Sequence, residues 1–361
     1  MSYVEQRKLS AIREALEEEI AQQKKYAFLD PPIFSFSRTL THENGTFPPK
    51  IDFAWKWFRG QIGRSRRTMP ELPEVETIVR GLRDRVKNLE FSRVEVRLGK
   101  CIRGSKQSLI QLLRRRKLLS IDRRGKNIIF RLSGGVFLFV HLGMSGKLRV
   151  VQGITPLEKH THVIFSFQNH PLQLRFVDPR QFGRLFWEKG KEGELNALSR
   201  LGPEPLGISA LEFSQRMRAK RREIKPLLLD QHFLAGVGNI YADESLYRAA
   251  IHPRRKSDSL DEKTSFRLHQ AVQGVLKESI RAKGTSVRSY VDANGSTGAF
   301  QNFLRVYGRE GEPCGVCGTP IVRERVGGRS SFFCPRCQRS PRGKDGKGSL
   351  PHRKNLGKIV A

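Results

Sequence analysis

Met69-Pro70-Glu71-Leu72-Pro73-Glu74-Val75-Glu76-Thr77 stands 68 residues into a chain of 361. From Pro73 onward the stretch reads as a helix start, with proline in the first turn and acids at the positive end of the dipole. Val75, Ile78, Val79, Leu82 and Val86 follow at helical spacing and predict a helix over 73–89. That reading leaves Pro70-Glu71 unexplained. A methionine before proline is a candidate second start of translation, and loss of Met69 would expose Pro70 as a secondary amine beside a carboxylate. An N-terminal amine has a pKa near 8, roughly two units below lysine, so a useful share is unprotonated at neutral pH. Such an amine attacking a sugar C1′ forms an imine and splits a hard step into two easier ones. The adjacent carboxyl can protonate the sugar oxygen if its pKa is tuned upward. With residues 1–68 attached, Pro70 is a peptide proline without an amine.

Beyond this helix the period changes. Runs at 94–98, 118–121, 127–132, 136–141, 147–151, 163–167 and 172–177 are short and β-like, interrupted by a helix at 108–114. Many short strands with turn signals predict a sandwich or flattened barrel. After a Gly/Pro-rich linker at 201–207 the pattern is helical over 211–218, 225–231, 240–250 and 262–282. A glycine- and serine-containing loop at 284–298 reads as a flexible lid.

Charge and cysteines narrow the function class. The net charge is +32, and residues 1–68 hold 12 Lys/Arg against 8 Asp/Glu, so +28 belongs to residues 69–361. A surplus of that size predicts a polyanionic partner, nucleic acid first. No run approaches the ~18 apolar residues of a membrane span. Cys314-x2-Cys317-x16-Cys334-x2-Cys337 has metal spacing, and four thiolates predict one closed, structural Zn2+ site. Between the knuckles, Gly327-Gly328 predicts a hairpin turn with Arg329 just past it.

Several motifs carry two readings each. Arg123-Arg124-Gly125-Lys126-Asn127 is a charged hairpin turn or a lysine delivered to a site. His141 to Lys147 presents Met144, and Asp178-Pro179-Arg180-Gln181-Phe182-Gly183 presents an Arg and a Phe. These apolar side chains are core filler or wedges between bases. Lys220, Arg221, Arg222 and Lys225 form a basic run. Gly236-Val237-Gly238-Asn239 is a helix cap, with Asn239 as the N-cap, or a phosphate-binding turn. His160 and His162 lack a third metal ligand, and Cys101 has no neighbour that would activate it.

Five of these motifs occur in one order: the 70–77 leader, 141–146, 178–183, 236–242 and the four-cysteine hairpin. Together they resemble the bacterial formamidopyrimidine-DNA glycosylase family over about 70–339. The resemblance implies an α+β multidomain fold: an N-terminal catalytic β-sandwich domain with flanking helices (69–200), a helix–two-turn–helix DNA-binding domain (201–297) and a zinc-finger β-hairpin (298–340). Outside it lie an N-terminal extension (1–68), either a misassigned start or disordered, and a basic disordered tail (341–361). It also implies roles. Pro70 would be the Schiff-base nucleophile, Glu71 the proton donor, and Glu74 the support of that site. Lys126 would act at the lesion and in β-elimination, and Arg329 would clasp phosphate and assist δ-elimination. Met144, Arg180 and Phe182 would fill the gap left by a flipped nucleotide, and His160, Lys220 and Asn239 would hold the DNA backbone. The implied activity is excision of oxidised purines (8-oxoguanine, formamidopyrimidines) from duplex DNA, with abasic-site lyase chemistry. It would belong to a monomer in the bacterial cytoplasm, at the nucleoid, with no membrane partner. The 68 residues before Met69 depart from the family pattern, in which proline follows the initiator methionine. Three alternatives stand beside the enzyme: a catalytically silent damaged-DNA-binding protein, an endonuclease-VIII-type glycosylase for oxidised pyrimidines, and a zinc-finger DNA-binding regulator.

Overall fold

In the computed structural model, which describes residues 69–191, 195–285 and 297–340, the leader opens directly into helix α1 (Leu72–Val86). Pro73 lies in its first turn, and its stripe of Val75, Ile78, Val79, Leu82 and Val86 is buried. The helix stops short of residue 89 because Lys87 turns to extended backbone and Asn88 takes φ 69°. Asparagine tolerates that left-handed geometry, and its N–H bonds Leu118 O at 2.8 Å, which draws the chain into the sheets. The expectations for 1–68, for most of the 284–298 loop and for the tail fall outside the described residues.

The strands are β1 (Phe91–Val96), β2 (Leu118–Arg124), β3 (Asn127–Leu132), β4 (Val136–His141), β5 (Lys147–Gln152), β6 (Thr161–Phe167), β7 (Leu172–Val177) and β8 (Arg184–Lys189). Helix α2 (Lys106–Leu113) lies between β1 and β2, capped by Ser105. The strands form two four-stranded antiparallel sheets, ordered β1-β6-β7-β5 and β2-β3-β4-β8. Their facing residues and the stripe of α1 share one core, as expected for a sandwich. β4 lacks alternation because both of its faces are covered. Val136, Leu138 and Val140 face that core. Phe137 and Phe139 meet Ile129 and Leu195 at the short helix α3 (Asn196–Ser199).

Four helices follow: α4 (Ala210–Arg218), α5 (Ile224–Leu229), α6 (Asn239–Arg248) and α7 (Glu262–Arg281). Ser209 caps α4 and Asp261 caps α7 through side-chain bonds to Glu212 N and Thr264 N. Their core takes Leu72 from the leader, and Cys314, Ile321, Phe332 and Cys334 from the cysteine module. In that module β9 (Val322–Val326) and β10 (Arg329–Phe333) pair antiparallel. Gly327 and Gly328 join them with φ of 54° and 78°, the two positive angles a tight primed turn requires. Among the described residues no helix is long and apolar enough to cross a membrane.

Candidate active site and nucleic-acid interface

Glu71 caps α6 from 169 residues away: its Oε1 accepts the Ile240 N–H at 3.1 Å. This corrects the expectation for Asn239. Gly238 holds the cap position, and Asn239 is the first helical residue, its Nδ2 donating to Ser330 O at 3.0 Å. A capping side chain was not needed from the local sequence because the Glu71 carboxylate occupies the positive end of the helix. Gly238 makes room for it. A Cβ on Gly238 would stand 2.2 Å from Glu71 Cδ. Glu71 is 3% exposed, yet its Oε2 has no hydrogen-bond partner among the described residues. Burial pushes its pKa upward, against the opposing pull of Lys126 and the backbone N–H groups of α6.

Glu74 knits three segments together. Its Oε2 accepts the Glu71 N–H at 2.9 Å, while its Oε1 accepts from Tyr241 Oη at 2.5 Å and Thr285 N at 2.7 Å. Burial, and then the Glu71 charge, raise its pKa to about 7. It accepts from the backbone of Glu71 and is not on the wall of the cavity described below.

The basic turn between β2 and β3 divides its residues between two tasks. Arg123 pairs with Glu76 at 3.0 Å and Glu204 at 2.7 Å, and Arg124 with Glu204 at 3.1 Å. Arg124 also donates to the carbonyls of Leu201 and Gly202. These bonds fasten the turn to the linker. Lys126 points the other way and is buried, and burial lowers its pKa while Glu71 and Glu74 oppose that shift. A cavity of about 550 Å³ gathers Met69, Glu71, Lys126, Met144, Asn239 and Arg329 on its wall. Five residues singled out in the sequence thus share one space with the residue preceding Pro70.

Phe182 projects from its loop at 51% exposure, and the Arg180 guanidinium lies over its ring at 4.9 Å. Asp178, fully buried, ties this loop to the Met144 turn. Its Oδ1 accepts from Ser145 Oγ at 2.5 Å and its Oδ2 from Gly183 N at 2.7 Å. Asp178 was missed as a positioning residue; its signal was the Asp-Pro pair opening the loop. His160, half-buried with φ 68°, precedes β6. His162 is buried against Asp178 O at 2.8 Å, a structural contact.

The basic run of 220–225 also splits. Lys220 is exposed beyond α4 and stands apart from the cavity wall. Lys225 is fully buried, paired with Asp243 at 2.7 Å and donating to Ser330 O at 2.6 Å. A lone charge left there would cost roughly 3–5 kcal/mol, so the pair fixes the strand that begins with Arg329. Its flanks Ile224, Leu227 and Leu228 were the available signal: a lysine inside an apolar run.

The Sγ atoms of Cys314, Cys317, Cys334 and Cys337 lie within 4.8 Å of one another. Tetrahedral Zn–S bonds of about 2.3 Å place thiolates roughly 3.8 Å apart. The observed 3.9 Å (Cys314–Cys337) and 3.4 Å (Cys317–Cys334) fit one structural Zn2+. Cys101 is buried in the sandwich, and burial pushes its thiol up to about 11, which leaves it inert.

A β-sandwich, a helix–two-turn–helix domain and a four-cysteine hairpin, meeting at one basic cavity, define a zinc-finger DNA glycosylase. Family models agree along the chain. The formamidopyrimidine-DNA glycosylase N-terminal domain matches residues 69–185, the H2TH domain of the same enzyme 201–291, and the zinc finger found in FPG and IleRS 311–339. A formamidopyrimidine-DNA glycosylase of Pelotomaculum thermopropionicum is 46% identical over 276 residues, 75% of this chain and 99% of that protein. One from Heliobacterium modesticaldum is 47% identical over 279 residues, covering 75% and 100%. Lactococcus lactis Fpg bound to DNA with an abasic site superposes with TM-score 0.71 at 37% identity, over 75% of this chain and all of that one. MutM bound to DNA with carbocyclic 8-oxo-G gives 0.70 at 36% identity, with the same coverage. The chain belongs to the formamidopyrimidine-DNA glycosylase family.

Proposed function

We propose that the chain, once it begins at Pro70, excises oxidised purines from duplex DNA and then cuts the strand as an abasic-site lyase. One observation carries the reading: a buried carboxyl, Glu71, lies one residue from Pro70 in a cavity shared with Lys126 and Arg329. Pro70 N attacks C1′, the bond from C1′ to the base breaks, and Glu71 protonates the sugar oxygen as the ring opens to the imine. Removal of the C2′ proton then expels the 3′ phosphate, and a second elimination expels the 5′ phosphate. Lys126 serves the first elimination and Arg329 the second, while Glu74 holds Glu71. Met144, Arg180 and Phe182 fill the stack, offsetting the few kcal/mol that flipping costs. His160, Asn239 and Lys220 hold the backbone. The working units are 69–200, 201–297 and 298–340. The protein acts as a monomer in the bacterial cytoplasm, at the nucleoid.

The test is single-turnover excision by protein beginning at Pro70, from duplexes holding 8-oxoguanine or an oxidised pyrimidine. The purine should be cut faster by at least about tenfold. A reversed ratio would convert the reading to an endonuclease-VIII-type enzyme. Specific binding of both duplexes without scission would leave a silent damage-binding protein. The 361-residue chain is itself suited to that second reading, since Met69 acylates Pro70 and stands in the cavity wall.

The finger makes a separate contribution. Cys334→Ser should remove the zinc and free the strand that holds Arg329, weakening binding to lesion duplex by about tenfold or more in fluorescence anisotropy. Unchanged affinity would mean that the hairpin faces away from DNA.

A further inference from the structure

Asn239, Asp243 and Tyr247 recur every fourth residue along α6 and so line one stripe of the helix. Each bonds the cysteine module. Asn239 Nδ2 donates to Ser330 O at 3.0 Å, Asp243 Oδ2 accepts from Phe332 N at 3.0 Å, and Tyr247 Oη meets Cys314 Sγ at 3.2 Å. The first two hold strand β10. The third reaches the metal-ligand set itself, from an element outside the finger. A zinc-bound thiolate carries no proton, so the tyrosine hydroxyl is the donor there.

We propose that Tyr247 is a positioning residue of the zinc centre: its hydroxyl donates to the Cys314 thiolate and slows release of the metal. The donor stabilises negative charge on sulfur and fixes the direction of that ligand. Partners of this kind outside the coordination sphere alter metal affinity substantially when removed. The same bond makes α6 a continuous strut, with the Glu71 carboxylate at its first turn and the metal cluster at its last. Loss of zinc therefore releases the far end of the helix that Glu71 caps. The inference rests on the four-cysteine zinc site and is independent of the reaction catalysed.

Tyr247→Phe keeps the ring and deletes the hydroxyl. In the zinc-loaded full chain, transfer of zinc to an excess of chromophoric chelator should speed up by about tenfold. With Co2+ in place of zinc, the thiolate-to-metal charge-transfer band should move to lower energy, because an unbonded sulfur gives up its electron more readily. An unchanged release rate overturns the proposal. So does faster release with an unshifted band, which would mark Tyr247 as packing alone.

Discussion

Protein beginning at Pro70 is expected to be trapped covalently on 8-oxoguanine duplex by borohydride, while the 361-residue chain gives no trapped product. The difference is categorical because it follows from bonding. An amide nitrogen has its lone pair in the peptide bond and cannot form an imine. A terminal proline nitrogen, with a pKa near 8, is partly free at neutral pH. Both forms share the buried Glu71 carboxyl, Lys126 at the cavity and Arg329 on its braced strand. Both proteins should therefore bind lesion duplex, and only the shorter should react. Pro70→Gly in the shorter form retains an amine but loses the secondary, ring-held nucleophile, so excision should fall by about 10²-fold or more with binding kept. Trapping by the 361-residue chain at the rate of the shorter one would remove Pro70 from the mechanism. Failure of both to trap would remove the enzyme.

How much of this was legible depended on the range of the interaction. Helix α1, the glycine hairpin and the cysteine knuckles are local patterns; the hairpin and knuckles formed where their spacing demanded, and α1 ended at Val86 rather than 89. Glu71 as the cap of α6 was invisible because the two ends of that bond are 169 residues apart. The sequence around Gly238-Asn239 carries a good capping residue, and only the approach of the leader makes it redundant. Lys220 and Lys225 are alike in composition and opposite in fate. A buried counter-charge on α6 takes in Lys225, whereas Lys220 is exposed and has no ion pair among the described residues. The turn at 123–127 divides between two surroundings, with the arginines paired to Glu76 and Glu204 and Lys126 on the wall of the cavity.

The carboxyl of Glu71 should account for a second large effect. Glu71→Gln preserves the acceptor for Ile240 N–H, so the leader stays seated on α6, but the amide has no proton to give. Excision should drop by about 10²–10⁴-fold, the usual worth of a positioned acid, with DNA affinity little changed. The pH dependence has a definite sign. Burial raises the Glu71 pKa, so the acid form persists to higher pH than in water, and its contribution to excision is lost as pH climbs through that raised value, opposite in sign to the gain in free Pro70 amine as pH nears about 8. The glutamine variant should lose this dependence. Gly238→Ala separates geometry from chemistry. Gly238 has extended backbone, φ −130° and ψ −160°, which alanine adopts freely, so the only cost is the methyl group 2.2 Å from Glu71 Cδ. The carboxyl must move, and a shift of about 1 Å is enough for a 10²-fold loss. Combining the two substitutions should then cost little more than Glu71→Gln alone, because they act on the same proton. If single-turnover losses instead multiply, Gly238 serves DNA directly through the amide groups of the α6 turn, and Glu71 is not the group it accommodates.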